Sequence, residues 1–249
     1  LGERSIESEM GDGIFGADGK EFRVNYEHIK KIKAPSFVGV VDNLIVLSHI
    51  TGHMMTSYAG AIKNVGMGMS SRSGKQVQHS SVKPSVIKNK CVMCGSCIPV
   101  CPVKAIAQCD DTALINARIC IGCGECLCAC VYEAISINWK TDYTLFYKRM
   151  TEYAAGILSK FNNVFFINCA FDVTKECDCM AVENEPIISQ DVGIVASGDI
   201  VAVEKATADL LTQKEDIFLK AQNHSYHADQ INYAHALSLG DLDYTLVRA

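Results

Sequence analysis

The organisation of this chain is decided by the stretch Cys91-x-x-Cys94-x-x-Cys97-x-x-x-Cys101-Pro102. The same spacing of four cysteines returns 29 residues later, at Cys120, Cys123, Cys126 and Cys130. The repeat extends beyond the cysteines, because Ala105-Ile106 recurs 29 residues later as Ala134-Ile135. The stretch is therefore a duplicated module.

Cysteine runs of this spacing, with proline after the fourth cysteine, are typical of proteins that bind two [4Fe–4S] clusters. In such proteins the fourth cysteine of each run binds the cluster of the other run. We therefore predict two [4Fe–4S] clusters with crossed ligands. The ligands are Cys91, Cys94, Cys97 and Cys130 for one cluster, and Cys120, Cys123, Cys126 and Cys101 for the other.

Two other roles for these cysteines, zinc binding and disulfide formation, fit the sequence less well. Structural zinc also uses Cys-x-x-Cys, but as two pairs separated by a loop rather than as a run of three with a fourth before proline. Disulfides suit small secreted scaffolds. This chain has 249 residues and no basic stretch followed by an apolar one at its beginning.

The composition is that of a globular protein, with 49% hydrophobic and 20% charged residues. No apolar run reaches the roughly 18 residues that a membrane helix needs. The 13 cysteines favour a reducing compartment, so we expect a cytoplasmic protein. A net charge of −5 makes nucleic acid an unfavourable partner and favours a soluble redox partner with a basic docking patch.

The flanking sequence predicts an α/β fold. Short apolar runs at 37–41, 44–47, 164–167 and 192–196 are typical of strands, the first three of them buried on both faces. We predict a discontinuous, sandwich-like α/β domain formed by residues 1–88 and 139–249. An α+β, ferredoxin-like module at 89–138 interrupts it.

Three local patterns are more specific. Residues 106–115 predict a hairpin that turns at Asp110-Asp111. A helix from Thr141 would place four apolar residues on one face. They are Phe146, Met150, Tyr153 and Ile157. Asp199 can cap a further helix that carries Val203, Ala206, Leu210 and Leu211.

Candidate site residues outside the module lie in polar, glycine-rich segments. His49 and His53 follow a predicted strand, at the edge where an open α/β sheet gathers its ligands. Glycines at 60–68 could let backbone amides approach an anion, although they match no phosphate-binding fingerprint. The catalytic candidates are Lys63, His53, His79, Cys177 and Cys179.

Five cysteines remain beyond the eight predicted ligands. We expect Cys109, Cys128 and Cys169 to be small buried residues, although Cys128 could substitute as a ligand if the chain shifts. Cys177-Asp178-Cys179 could serve as a metal ligand pair or a redox thiol pair, or could be a turn with incidental thiols. We expect His224, His227 and His235 to lie on the surface.

Several of these motifs together resemble the iron–sulfur proteins of the family named domain of unknown function 362. The motifs are Ser48-His49, Gly52-His53, 60–64, 66–68, Ser71-Arg72, Gly74-Lys75, His79, the cysteine module, 177–179 and 191–197. The resemblance covers nearly the whole chain. It implies an α/β domain that carries a two-cluster ferredoxin module, and it implies no settled reaction.

The chain departs from the family pattern at three places. Val131 stands where proline usually follows the last ligand, and Ile200 stands where proline is common; neither affects a ligand. Family members usually begin with a further stretch that contributes strands. We therefore expect a second chain or a further N-terminal segment to complete the α/β domain.

The resulting hypothesis is an electron-transfer protein in which two clusters pass single electrons. The electrons would leave to a partner or to a redox site in the α/β domain, which would make the protein a reductase with a thiol or metal site at Cys177 and Cys179. A third hypothesis is that the protein is a non-enzymatic sensor or an assembly subunit. A sensor usually lacks or replaces one ligand, whereas all eight positions are cysteine here.

Overall fold

The structure is a computed structural model that describes residues 11, 18–79, 83–122, 125–137, 143–180 and 183–248. Cys123, the side chain of Cys128 and the predicted helix start at Thr141 lie outside the described residues. The chain forms two compact units, one from residues 1–74 with 147–249 and the other from residues 75–146. The second unit contains the whole of the segment 89–138 that the sequence marks as an insert.

The fold is mixed α/β, as predicted. The strands are β1 (Lys20–Arg23), β2 (Lys31–Ala34), β3 (Asn43–His49), β4 (Thr51–His53), β5 (Ser57–Ala59), β6 (Pro84–Val86), β7 (Ile106–Cys109), β8 (Thr112–Ile115), β9 (Ile135–Ile137), β10 (Asn163–Ala170) and β11 (Gly193–Ser197). The helices are α1 (Ala61–Lys63), α2 (Arg72–Gln78), α3 (Glu125–Ala129), α4 (Tyr143–Leu158), α5 (Ile200–Thr212), α6 (Ile217–Gln222) and α7 (Tyr226–Ala236). A π-helical turn, Asn64–Gly68, continues α1.

The first unit is built on a three-stranded sheet. Strand β10 lies in its centre, parallel to β3 and antiparallel to β11. Helix α5 packs on this sheet, and the Asp199 side chain caps it by accepting a hydrogen bond from the amide of Ala202 at 2.9 Å, as predicted. The four apolar residues of α4 are all buried, which confirms its predicted face.

The strands are not buried on both faces, so that part of the prediction was wrong. Ile45 and Leu47 are 71% and 64% exposed, and Phe165 on β10 is 45% exposed. Residues 37–41 form turns instead of a strand, with Val40 exposed. An apolar run cannot show that only one face of its sheet is covered, and here burial alternates along β3 and β10.

A buried carboxyl group joins four elements of the first unit. Oε1 of Glu204 accepts hydrogen bonds from Tyr58 Oη at 3.2 Å, the Ala61 amide at 2.6 Å and Asn168 Nδ2 at 3.1 Å. Its other oxygen is also buried, and no described residue forms a hydrogen bond with it. Burial raises the pKa of Glu204 to about 7 in spite of these donors.

The second unit repeats itself in space as it does in sequence. Strand β6 pairs with β9, and β8 pairs with β7, both antiparallel. Each pair of the first ladder has an equivalent in the second, found by adding 29 to the β6 residue and subtracting 29 from the β9 residue. The pair Val86↔Ile135 thus corresponds to Ile115↔Ile106. The predicted hairpin at 106–115 is confirmed by β7 and β8.

The described helices include none long and apolar enough to cross a membrane.

Replacing Glu204 by Gln should flatten the pH dependence of the free energy of unfolding. The carboxyl group has a pKa of about 7 in the folded state and its ordinary pKa of 4.5 in the unfolded state, so the folded state keeps the proton to higher pH. The contribution of this carboxyl group to the free energy of unfolding is therefore full below about pH 4.5 and is lost as the pH rises through about 7. The stability lost over this range is about 3 kcal/mol. Urea denaturation at several pH values between 5 and 8, followed by circular dichroism, measures this.

Glu215→Gln is the matched control, because Glu215 is exposed beside Lys220. This control should keep the slope of the original protein. An unchanged slope in the Glu204→Gln protein would contradict the assignment of the titration to this carboxyl group.

Candidate functional site

Two small cavities in the second unit are each lined by several cysteines. The first is lined by Cys91, Cys94, Cys97 and Cys130. The second is lined by Cys101, Cys120 and Cys126 among the described residues. Each cavity thus combines cysteines of one run with the fourth cysteine of the other. Seven of the eight cysteines named from the sequence line these cavities, and the eighth, Cys123, is outside the described residues.

The rest of each lining is mainly apolar. The first cavity includes Val86, Met93, Ala113 and Ile135, and the second includes Pro84, Ile106, Ile115 and Ile121. Cys97 and Cys126, which are equivalent in the two repeats, are both buried. Burial raises the pKa of Cys97, and the nearby thiols of Cys130, Cys91 and Cys94 raise it further. Four sulfur atoms therefore share one small volume.

Backbone amides point at the sulfur atoms. The amide of Ala105 donates to Cys101 Sγ at 3.1 Å, and its repeat equivalent Ala134 donates to Cys130 Sγ at 3.3 Å. The turns that hold these amides also repeat, since Lys104 and Glu133 both have a left-handed backbone, with φ of 53° and 50°. The duplicated sequence therefore builds the same sulfur environment twice.

A separate group of three metal-ligating residues lies in the first unit. A ring nitrogen of His53 and the sulfur atoms of Cys177 and Cys179 all lie within 4.8 Å of one another. His53 and Cys177 are buried, and Cys179 is exposed. Together with the cysteine-lined cavities, this group indicates a protein that binds metal or metal clusters.

The two thiols of this group are in contact. Their sulfur atoms are 2.6 Å apart, and the amide of Cys179 donates to Cys177 Sγ at 3.2 Å. Lys63 reaches them from α1, with Nζ at 2.5 Å from Cys177 Sγ and 3.7 Å from Cys179 Sγ. Hydrogen bonding from Cys179 and then the Lys63 ammonium group lower the pKa of Cys177 to about 5. The same thiol contact raises the pKa of Cys179, because the pair shares one proton.

Close backbone packing brings these distant residues together. The amide of Gly52 donates to the carbonyl of Thr174 at 2.7 Å, which sets β4 beside the segment that leads to Cys177. A Cβ atom at Gly52 would lie 2.0 Å from the carbonyl oxygen of Lys175. Only glycine permits this approach.

The neighbouring histidine braces the loop instead of joining the group. His49 Nδ1 is 2.9 Å from an Asp178 carboxylate oxygen, and its Nε2 is 2.9 Å from the Phe171 carbonyl oxygen. Burial opposes protonation of His49, but these two acceptors outweigh it and raise its pKa. The other catalytic candidate, His79, lies in the second unit with its ring 4.7 Å from that of Phe146.

The glycine-rich segment at 60–68 does not hold an external anion at its start. The amide of Ala61 is taken by the chain's own Glu204 carboxyl group, and a Cβ at Gly60 would lie 2.3 Å from Oε1 of that residue. Glu204 was not among the residues that the sequence suggested. The sequence feature that could have revealed it is an acidic residue on the apolar face of α5, between Ile200 and Thr207.

Two of the remaining histidines are not surface residues, so their prediction was wrong. His224 is half-buried, with Nε2 2.8 Å from the Met54 carbonyl oxygen, and His227 is half-buried beside Ser57. His235 is exposed, as predicted. Cys169 is half-buried and Cys109 is exposed, which contradicts the expectation of a buried Cys109.

Gly52→Ala should lower the free energy of unfolding of the first unit by about 1–3 kcal/mol, because the added methyl group overlaps a backbone carbonyl that cannot rotate away. It should also separate His53 from Cys177. Urea denaturation measures the first effect. Gly198→Ala is the control, since a Cβ there meets nothing within 4 Å. Equal stability of the two variants would show that the close approach at Gly52 is not required.

The chain was compared with known proteins. No curated protein matches it. Residues 6–209, most of the chain, match the family described as Domain of unknown function (DUF362). The name of this family states no activity. The match and its extent mean that the chain belongs to the DUF362 family.

Proposed function

We propose that the protein binds two [4Fe–4S] clusters in its second unit and transfers single electrons. One observation carries the proposal: each cysteine-lined cavity takes its fourth sulfur from the opposite run, Cys130 in the first cavity and Cys101 in the second. This is the ligand exchange expected of a two-cluster module.

The chemistry of the donors fits such clusters. Thiolate is the ligand that iron–sulfur clusters use, and each cavity offers several thiols inside an apolar wall. When bound, each cluster supplies a one-electron redox couple. The apolar walls limit the access of water to the buried sulfur atoms, which slows hydrolysis and lowers the local dielectric constant.

The chain's own amides would tune the two sites. Hydrogen bonds to cluster sulfur atoms are one determinant of reduction potential, because they stabilise the more negative, reduced state. The amides of Ala105 and Ala134 donate equivalent bonds in the two repeats. The amide of Ala113 adds a bond to Cys91 at 3.4 Å, and that of Gly122 adds one to Cys120 at 3.4 Å.

The first site is accessible to solvent. Cys94 in the first cavity is exposed, and so is Tyr132, another residue of its lining. A soluble redox partner could approach the first site there, and the acidic net charge of −5 favours a partner with a basic docking patch. The reducing compartment that 13 cysteines favour is the cytoplasm.

Pairs of ligand variants test the crossed arrangement. Cys94→Ala and Cys130→Ser should remove or convert the same cluster, because both side chains line the first cavity. Cys101→Ser should affect the other cluster. Low-temperature EPR of anaerobically reduced protein should therefore show one surviving signal shared by the first two variants and a different one in the third.

Cys109→Ser is the control, because this exposed thiol lines neither cluster cavity. It should keep both signals. If Cys101→Ser instead matched Cys94→Ala and Cys130→Ser differed from both, each run would hold its own cluster and the crossed assignment would be wrong. If none of the proteins showed a cluster signal, the proposed function would fail.

A further inference from the structure

A second kind of metal site lies in the first unit. We propose that His53, Cys177 and Cys179 bind a single zinc-class divalent ion, with a fourth coordination position left for water or a substrate atom. The three donors come from β4 and from a loop 124 residues later in the chain, and the fold places their ligand atoms within 4.8 Å of one another. This site is independent of the two-cluster proposal.

The donor set matches the chemistry of zinc. Two thiolates and one imidazole are the ligands of one known class of catalytic zinc site, in which water completes a tetrahedron. Among the described residues, no fourth histidine, cysteine or carboxylate belongs to the group. Because His53 and Cys177 are buried and Cys179 is exposed, the open position would face the surface near Cys179.

Hydrogen bonds fix the ring of His53. The amides of Met55 and Thr56 each donate to its Nδ1 at 3.2 Å, and the Thr56 hydroxyl oxygen lies 3.0 Å from the same atom. That hydroxyl donates its own proton to the Tyr58 carbonyl oxygen at 2.8 Å. Hydrogen bonds of this kind hold the ring of a histidine ligand in one orientation.

The loop that carries Cys177 and Cys179 also suits a bound metal ion. The Cys-x-Cys spacing lies at the start of a 3-10 turn, Asp178–Met180, in which the amide of Cys179 points at Cys177 Sγ. Two thiolates in contact repel one another, and a divalent ion offsets that repulsion. The Lys63 ammonium group donates to Cys177 Sγ and would stabilise its negative charge beside the ion.

Two structural devices hold the group in place. Gly52 allows the close packing that sets His53 beside the cysteine loop. His49 ties the same loop down through Asp178, the residue between the two cysteines. Binding of the ion would therefore need little rearrangement of the backbone.

Zinc X-ray absorption tests the proposal, because it is blind to iron. Full-length protein is purified without oxygen, loaded with iron and sulfide, and given one equivalent of zinc. We expect about one bound zinc per chain, with two sulfur neighbours at about 2.3 Å and two nitrogen or oxygen neighbours at about 2.0–2.1 Å. Four sulfur neighbours in protein that has kept its iron would overturn the proposal, because zinc would then prefer a cysteine run to the His53 group.

Variants locate the ion. Cys177→Ser/Cys179→Ser and His53→Gln should each lose this zinc and keep the iron content of the original protein. Cys169→Ser and His235→Gln are the matched controls and should keep the zinc, since neither residue belongs to the group. If the first two variants retained the zinc, or if the reduced original protein bound none, the proposal would be wrong.

Even if a variant fails to fold, the zinc X-ray absorption spectrum of the unsubstituted protein still tests the proposed zinc site. The outcome is also separate from that of the cluster proposal. A protein that lacks clusters could hold zinc in its cysteine runs, so such a protein is given zinc in excess of all its sites; the zinc lost on changing Cys177 and Cys179 would then still be about one per chain.

Discussion

The crossed placement of Cys101 and Cys130 is the constraint on which the second unit depends. Each residue belongs to one repeat and lines the cavity of the other. Neither repeat can therefore complete its cavity alone, and the two must fold together. The ladder β6–β9 joins the strand before the first cysteine run to the strand after the second, and β7–β8 forms a hairpin between the runs. Cys97, Cys126, Ile106 and Ile135 are buried in one cluster, so both repeats share a core.

The first unit depends on a different kind of constraint, which is close backbone packing around polar groups. Gly52, Gly60 and Gly66 each lie where a Cβ would overlap a carbonyl or carboxyl oxygen. Packing of this kind places Glu204 at the start of α1 and brings His53 to the cysteine loop. Glycines that looked like an anion-binding segment in the sequence therefore serve the internal contacts of the fold.

Local signals in the sequence predicted local structure well. The hairpin at 106–115, the buried face of α4 and the cap at Asp199 were all predicted, because periodicity and capping are properties of a few neighbouring residues. The exposure of Ile45 and Leu47 was not predicted, since it depends on what covers the other face of the sheet. The sequence named His53, Lys63, Cys177 and Cys179 one by one, but their meeting depends on the contact between Gly52 and Thr174, which no pattern in the sequence reveals.

We propose above all that the cysteine runs hold iron–sulfur clusters that transfer electrons. The most direct test of this proposal is to measure iron and acid-labile sulfide in protein purified without oxygen, followed by EPR at stepped potentials. We predict about eight irons and eight sulfides per chain and two signals that appear and disappear reversibly, with midpoint potentials between roughly −700 and +450 mV. Zinc in the cysteine runs without labile sulfide, or iron that is lost on the first reduction, would contradict the account.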